Sequence, residues 1–402
     1  MFGRKADNPS LSEDVVLKAL ATVIEPELHR DLVSLNMIRN LKLDGNDVIF
    51  TIMLTTPACP LRGKMESDAR AALARVPGVG RVTINWDANV PSDRRIGDQI
   101  GQNFRNTIAV SSGKGGVGKT TIAVNLAIAL AMEGARVGLL DADILGPNVP
   151  MMMGRDQMPP PRDRKMVPAE NFGVKFISMA FLVKPDQPLI WRGPMLHSAI
   201  RQLLTDVEWG ELDYLVVDLP PGTGDAQLTL AQVVPLSGAI VITQPMQVAA
   251  ADATRGLKTF EKLDVPIIGI IENMSGDFFG TGAGEQLATT YKTPYLGSVP
   301  LDANVRVGGD SGEPIVVAHP DSAAALALRQ IARDVAARVS VLTIEAQSAQ
   351  FIPIQMINAG LGLWWRRFLS CVLRRYGGQR HRIRILCHTE LWQVATQPLF
   401  PV

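Results

Sequence analysis

The stretch "SSGKGGVGKTT", Ser111 to Thr121, holds two lysines where a loop that wraps a phosphate needs one. It fits G-x-x-x-x-G-K-[ST] between a short apolar run and a helical one, the context that gives the pattern its meaning. Gly113, Gly115, Gly116 and Gly118 let backbone N–H groups converge on phosphate oxygens without Cβ clashes, with Val117 and Thr121 completing the nucleotide-binding stretch. The helix that follows adds its positive N-terminal end. Lys119 is expected to reach the β- and γ-phosphates, and the Thr120 hydroxyl to ligate Mg²⁺. A second cation close by, Lys114, would stabilise charge that grows on the transferred group.

Carboxylates of the right kind end two other apolar runs. "YLVVDLPPGTGD" places Asp218 where it can hold Mg²⁺ through water, and its continuation, Pro220 to Asp225, can move with the γ-phosphate. "LLDADILGPN" offers Asp141 and Asp143; one can orient an attacking water while the other caps the next turn, and the cap reading suits Asp141 better than Asp143.

The elements that must position these groups follow from patterning. From Thr107 short apolar runs ("TIAVSS", "RVGLLDAD", "YLVVDLP", "GAIVITQ", "PIIGIIENM") alternate with helical stretches. Runs apolar on both faces, separated by helices, predict an α/β fold with a mainly parallel, doubly wound sheet. Ligands bind such sheets at the carboxyl ends of the strands, where all the motifs above fall. Residues 107–344 form this domain, closed by the Ala-rich helix of "DSAAALALRQIARDVAARVSVL". Ahead of it, residues 11–87 read as a compact α+β unit. "SEDVVLKALATVI" is a helix capped by Ser12, "DVIFTIMLT" a strand, "LRGKMESDARAALARV" a second helix and "RVTINW" a final strand. Residues 88–106 read as a polar linker.

The 402 residues suffice for two domains, and 47% hydrophobic with 20% charged side chains suits an ordinary globular protein. The net charge of +1 hides an asymmetry. Residues 346–402 carry seven arginines against the single acid Glu390, so the other 345 residues hold 33 basic and 38 acidic side chains. A mildly acidic body argues against nucleic acid as the main partner. No apolar run approaches the roughly 18–20 residues of a membrane span. The start has no apolar leader pattern, and a cytoplasmic location is expected. Cys59, Cys371 and Cys387 are too few and too scattered for a disulfide framework.

The K-G-G-V-G-K-T arrangement resembles the deviant Walker A loop of the MinD and ParA class of ATPases. That resemblance implies that Lys114 reaches a partner's nucleotide across a twofold axis, and that the active form is a nucleotide-sandwiched homodimer. "WRGPMLHSAIRQLL", "DYLVVDLPPGTGD", "IENMSG" and "VPLDANVRVGGDSGEPI" narrow the match to the Mrp family of P-loop ATPases, the iron–sulfur cluster carrier proteins. In the front unit, "VIEPELHRDLVSLNMI" and "TTPACPL" resemble the metal–sulfur cluster assembly domain found ahead of many members. The resemblance spans about residues 11–340. It implies slow ATP hydrolysis, ATP and Mg²⁺ as cofactors, apoprotein clients or cluster-assembly proteins as partners, and an adenine contact from Asn273. Cys59, in "TTPACPL", is either a thiolate ligand or a buried small hydrophobe.

One departure stands out. Family members carry a C-P-x-C segment shortly after "ENMS", and two such pairs bridge a cluster in a dimer. Here Ser275 runs straight into "GDFFGTGAGEQLA", so the segment is deleted. Clusters are normally held by thiolates, and whether this chain carries an iron–sulfur cluster is open. The leading expectation is an ATPase of iron–sulfur cluster assembly or transfer. Its alternatives are a MinD- or ParA-like positioning ATPase on membrane or DNA, and a nucleotide-gated scaffold without its own cluster. Residues 345–402 match nothing in the family. "LWWRRFLSCVLRR" fits a basic amphipathic helix, but the composition favours a non-native or disordered extension. Cys371, Cys387 and His388 there fit no zinc spacing.

Overall fold

The structure is a computed structural model that describes residues 11–93, 104–144, 146–182, 193–222 and 225–349. The front unit opens with α1 (Glu13–Leu20), where the Ser12 side chain accepts from Val15 N at 3.4 Å and Val16 and Leu20 are buried. A two-residue ladder, β1 (Ile24–Glu25) with β2 (Arg30–Asp31), leads to the hairpin β3 (Ile38–Asp44) and β4 (Asp47–Leu54). Then come α2 (Arg62–Leu73) and β5 (Val82–Ala88), which pairs parallel with β4. The core of this unit is Leu20, Leu32, Phe50, Ile52, Met65 and Leu73. Strand β3 is an addition to the sequence reading. Its alternate positions are only half-buried, so "IRNLKLD" shows a weak apolar rhythm, although Asp44-Gly45 marks the turn that follows.

The second unit is built on an eight-stranded sheet among the described residues. Its elements in chain order are β6 (Phe104–Ser112), α3 (Lys119–Met132), β7 (Val137–Asp141), α4 (Val149–Met152), β8 (Ala169–Asn171) and β9 (Val174–Ser178). Next are α5 (Gly193–Thr205), β10 (Leu212–Asp218), α6 (Asp225–Val233), β11 (Gly238–Thr243), α7 (Gln247–Lys262) and β12 (Ile267–Ser275). The chain continues through α8 (Ala283–Thr290), β13 (Tyr295–Pro300), α9 (Ala303–Ser311), α10 (Ile315–Ala318) and α11 (Ala323–Ala349). The strand order is β13-β12-β11-β6-β10-β7-β9-β8, parallel except where β8 meets β9. Helices cover both faces. Ile108, Val110 and Val216 pack beneath α3 and α11, while Ala109, Leu215 and Val217 pack beneath α5 and α7. Continuous burial along β7, β10 and β11, and along β6 from Asn106 onward, is the physical content of the unbroken apolar runs.

The front unit docks on the sheet at the start of β10. Tyr214 Oη donates to Thr56 Oγ1 at 3.0 Å, and Ser340 Oγ donates to the Thr55 carbonyl at 3.1 Å. Ala58 is buried within the core under α3 and α11. Part of the expected 88–106 linker is structured. Ala88 ends β5, Phe104 begins β6, and Arg105 Nη1 donates to Asn89 Oδ1 and the Val90 carbonyl at 2.6 and 2.8 Å. The domain end expected at 344 falls inside α11, which runs to Ala349, and Gln347 Nε2 donates to the Ser92 carbonyl at 2.8 Å. The readings of the tail, including Cys371, Cys387 and His388, fall on residues 350–402 and lie outside the described residues, as do Trp191, Arg192, Thr223 and Gly224. No helix among the described residues is long and apolar enough to cross a membrane.

Candidate functional site

The loop between β6 and α3 is shaped by what surrounds it. Gly118 has φ +82°, and a Cβ there would also collide with the Asn273 amide. At Gly113 a Cβ would collide with the Asp252 backbone of α7, so only hydrogen fits. Helix α3 begins without a side-chain cap, which leaves its first N–H groups pointing into the loop. Val117 is buried and its carbonyl accepts from Asn273 Nδ2 at 2.8 Å, bracing the loop from below.

Four of the predicted side chains meet at the loop's end. Lys119, only 5% exposed, donates from Nζ to Asp218 Oδ1 at 2.6 Å and lies 3.5 Å from Asp143 Oδ2. Thr120 Oγ1 donates to Asp218 Oδ2 at 2.7 Å. Burial drives the Asp218 carboxyl above the ordinary carboxylate range, although the neighbouring Lys119 ammonium and the Thr120 hydroxyl oppose the rise. Asp141 is pushed up to about 8, first by burial and then by the charge of Asp218. Its carboxylate accepts from Asp143 N, Val149 N and Ser178 Oγ at 3.2, 3.2 and 2.8 Å, which is the capping arrangement. Asp143 accepts from Gly146 N at 3.3 Å and lines the cavity above the loop.

That cavity, of about 390 Å³, is bounded by Lys114, Lys119, Thr120, Thr121, Asp143 and Pro221. A second cavity of about 340 Å³ shares Thr121, Asn148 and Met152 with it and is walled by Asn273, Met274 and Leu301. The two adjacent cavities together suit a nucleotide, with a polar end for phosphates and an apolar end for a base. Hard oxygen donors at Thr120 and Asp218 suit Mg²⁺. Lys114 is half-buried at the rim and its ammonium makes no ion pair among the described residues. Gln244, one residue past β11, was not singled out in the sequence. Its Nε2 donates to the Gly116 carbonyl at 3.4 Å, and its place at a strand's carboxyl end is the signal that could have found it.

Cys59 is not brought to this site. It is half-buried against the front unit's core, close after Thr56, which bonds Tyr214 at the amino end of β10. Asp218 ends the same strand at its other extremity. Burial, then the charges of Glu27 and Glu25, push the Cys59 thiol up to about 11. Among the described residues no group of three or more His, Cys, Asp or Glu side chains could hold a metal ion. After Ser275, Gly276 and Gly280 exchange backbone hydrogen bonds of 3.0 and 2.7 Å, closing a tight turn at the place where the sequence lacks the cysteine segment.

Comparison with known proteins places this geometry. Residues 103–336 match the family described as NUBPL iron-transfer P-loop NTPase, and residues 13–86 match the iron–sulfur cluster assembly protein family. The chain is 49% identical to a Synechocystis protein named iron–sulfur cluster carrier protein, over 83% of this chain and 99% of that one. It is 51% identical to a protein of the same name from Deinococcus radiodurans, over 82% and 97%. A nucleotide-binding protein from Archaeoglobus fulgidus, solved with ADP, aligns at TM-score 0.49 and 33% identity over 57% of this chain and 94% of that one. The chain belongs to the iron-transfer P-loop NTPases, in the branch whose members are named iron–sulfur cluster carrier proteins, with an iron–sulfur cluster assembly domain ahead of the nucleotide-binding domain.

Proposed function

We propose that this chain binds and slowly hydrolyses ATP as a homodimer, in the cytoplasm, and uses that cycle in the assembly or transfer of iron–sulfur clusters to apoproteins. The observation that carries the reading is the convergence of Lys119 and Thr120 on Asp218 beneath the glycine loop, at 2.6 and 2.7 Å. When bound, MgATP supplies the phosphoanhydride and a cation that neutralises its charge. Lys119 exchanges its Asp218 partner for the β- and γ-phosphate oxygens. Asp218 and Thr120 are the residues that would hold Mg²⁺, and the uncapped start of α3 would bind the phosphates through its N–H groups. Asp143 orients the attacking water. Asn273 already donates to the Val117 carbonyl, so its side-chain oxygen is the atom that accepts from the adenine amino group. Lys114, with no acid partner of its own among the described residues, completes the partner's site.

Measuring phosphate release with purified protein and Mg²⁺ tests this reading, with Lys119→Ala as control. Absence of turnover above that control refutes the hydrolase assignment.

A second reading concerns the cargo. The closed Gly276–Gly280 turn and the high thiol pKa of Cys59 favour a nucleotide-gated scaffold whose cluster is ligated largely by its partners. Cys59 offers one thiolate per chain, against the four positions usual for such clusters. Anaerobic reconstitution with iron and sulfide separates the two. A carrier gains stable iron, and a scaffold retains little.

A further inference from the structure

Two buried amides hold the nucleotide loop by consecutive carbonyls. Gln244, one residue past β11 and 6% exposed, donates from Nε2 to the Gly116 carbonyl at 3.4 Å. Asn273, in β12, donates to the next one, that of Val117, at 2.8 Å. The carbonyl after it, that of Gly118, accepts from Ile122 N at 3.0 Å in the first turn of α3. Neither Gln244 nor Asn273 borders the phosphate cavity, whereas Gly116, Gly118 and Lys119 do. A trans peptide unit is planar and points its C=O and the following N–H in opposite directions. Drawing the Gly116 and Val117 oxygens away from the cavity therefore turns the Val117 and Gly118 N–H groups toward it. Gly116 and Gly118, at φ +78° and +82°, let the chain take that shape.

Gln244 has a second partner. Its Nε2 also lies 3.0 Å from Met274 Sδ, and Met274 walls the apolar cavity beside the loop. Met274 sits at an irregularity in the pairing of β12 with β13 and has φ +61°, a left-handed conformation that a residue with a side chain adopts at a cost. One amide joins the phosphate end of the candidate site to its apolar end. We propose that Gln244 is a positioning residue for the nucleotide, fixing the Gly116 peptide so that the loop's N–H groups face the phosphates before these arrive, and tying the loop to the Met274 wall of the base cavity. A loop whose peptide units are already turned loses less freedom on binding, which is where the gain in affinity arises. This rests on the nucleotide reading above and adds to it a residue that lies outside the phosphate-loop pattern.

The test is calorimetric titration of the full chain with MgADP, comparing the parent with Gln244→Met and Gln244→Ala and recording their melting temperatures. Both variants lack the N–H donor, but methionine nearly fills the volume of glutamine and alanine does not. Both should bind MgADP about three- to ten-fold more weakly, the worth of one hydrogen bond. In steady-state hydrolysis the KM for ATP should rise by a similar factor while kcat stays within about two-fold, the mark of a residue that acts on binding and not on the chemical step. Parent-like affinity in Gln244→Met, whatever Gln244→Ala does, would show that the residue only fills space, and overturns the positioning role while the nucleotide reading stands. Lower melting temperatures with unchanged affinity for MgADP overturn it too. A parent that does not bind MgADP overturns the nucleotide reading, and the positioning role with it.

Discussion

Tyr214 and Thr56 are bonded hydroxyl to hydroxyl over 3.0 Å, in a buried contact that joins the front unit to the first turn of β10. Burial pushes the Tyr214 phenol well above its usual pKa, so it remains a neutral donor even in strongly alkaline solution. Thr56 Oγ1 in turn accepts from Ala58 N at 3.2 Å, so one hydroxyl fixes the loop that carries Cys59.

Thr56→Val keeps the shape of the side chain and removes its oxygen, leaving a buried phenol and a buried N–H with one partner fewer. We expect a loss of about 1–3 kcal/mol in chemical denaturation. ATP turnover should persist, because the contact lies at the opposite end of β10 from Asp218. A variant of full stability would show that the docking rests on Ala58 and Ser340 alone.

Lys119→Ala should abolish tight nucleotide binding, and it also strips Asp218 of the ammonium that offsets its burial. Lys114→Ala should retain a nucleotide site but lose turnover, by a factor on the order of 10³–10⁵ as for other trans-acting cations. Equilibrium binding of a fluorescent nucleotide beside single-turnover hydrolysis separates the two. Parent-like hydrolysis by Lys114→Ala would remove that lysine from the reaction.

Cys59 gives a pH prediction. With its thiol at about 11 it is protonated at neutral pH, and the reactive thiolate grows as pH rises toward that value. In a Cys371→Ser, Cys387→Ser background, iodoacetamide labelling should therefore be slow at pH 7 to 8 and climb steeply through pH 9 to 10.5. The driving forces are burial first and the Glu27 and Glu25 carboxylates second, so Glu27→Gln should move the curve only slightly downward. A labelling midpoint near 8 would contradict the buried position. With the tail removed, any labile cluster formed on reconstitution should vanish in Cys59→Ser while hydrolysis continues.

The end of α11 distinguishes two truncations. Stopping after Ala349 keeps every contact described above, and the melting temperature should be unchanged. Stopping after Ile344 deletes the last turn and the Gln347–Ser92 hydrogen bond, and should cost about 1 kcal/mol. Thermal denaturation of the two proteins side by side provides the check.

What the sequence disclosed and what it hid divide along physical lines. Lys119, Thr120 and the loop glycines were legible because a phosphate cradle demands particular residue types at fixed spacing within one short stretch. Asp218 was legible because it ends a run of side chains buried on both faces, and Asp143 because it follows the end of another such run by two residues. The docking contacts were hidden. Thr55, Thr56, Tyr214 and Ser340 are single residues far apart in the chain, and no periodicity marks a hydroxyl that finds its partner 158 positions away. The continuation of α11 past the domain end expected at 344 was hidden for a different reason. "EAQSA" after Ile344 is built of residues compatible with a helix and contains neither Gly nor Pro, so no stop signal marks where the composition changes.

The uncapped first turn of α3 has a consequence for how the protein lives in a cell. Its N–H groups and the Lys119 ammonium are among the interactions a nucleotide would complete, and a ligand that binds only the folded chain adds RT ln(1 + [L]/Kd) to its stability, about 2.7 kcal/mol at a hundred-fold excess over Kd. Energy charge would thus act on this protein twice, as fuel and as a folding aid. A cell that exhausts its ATP would lose both the turnover and part of the population able to resume it.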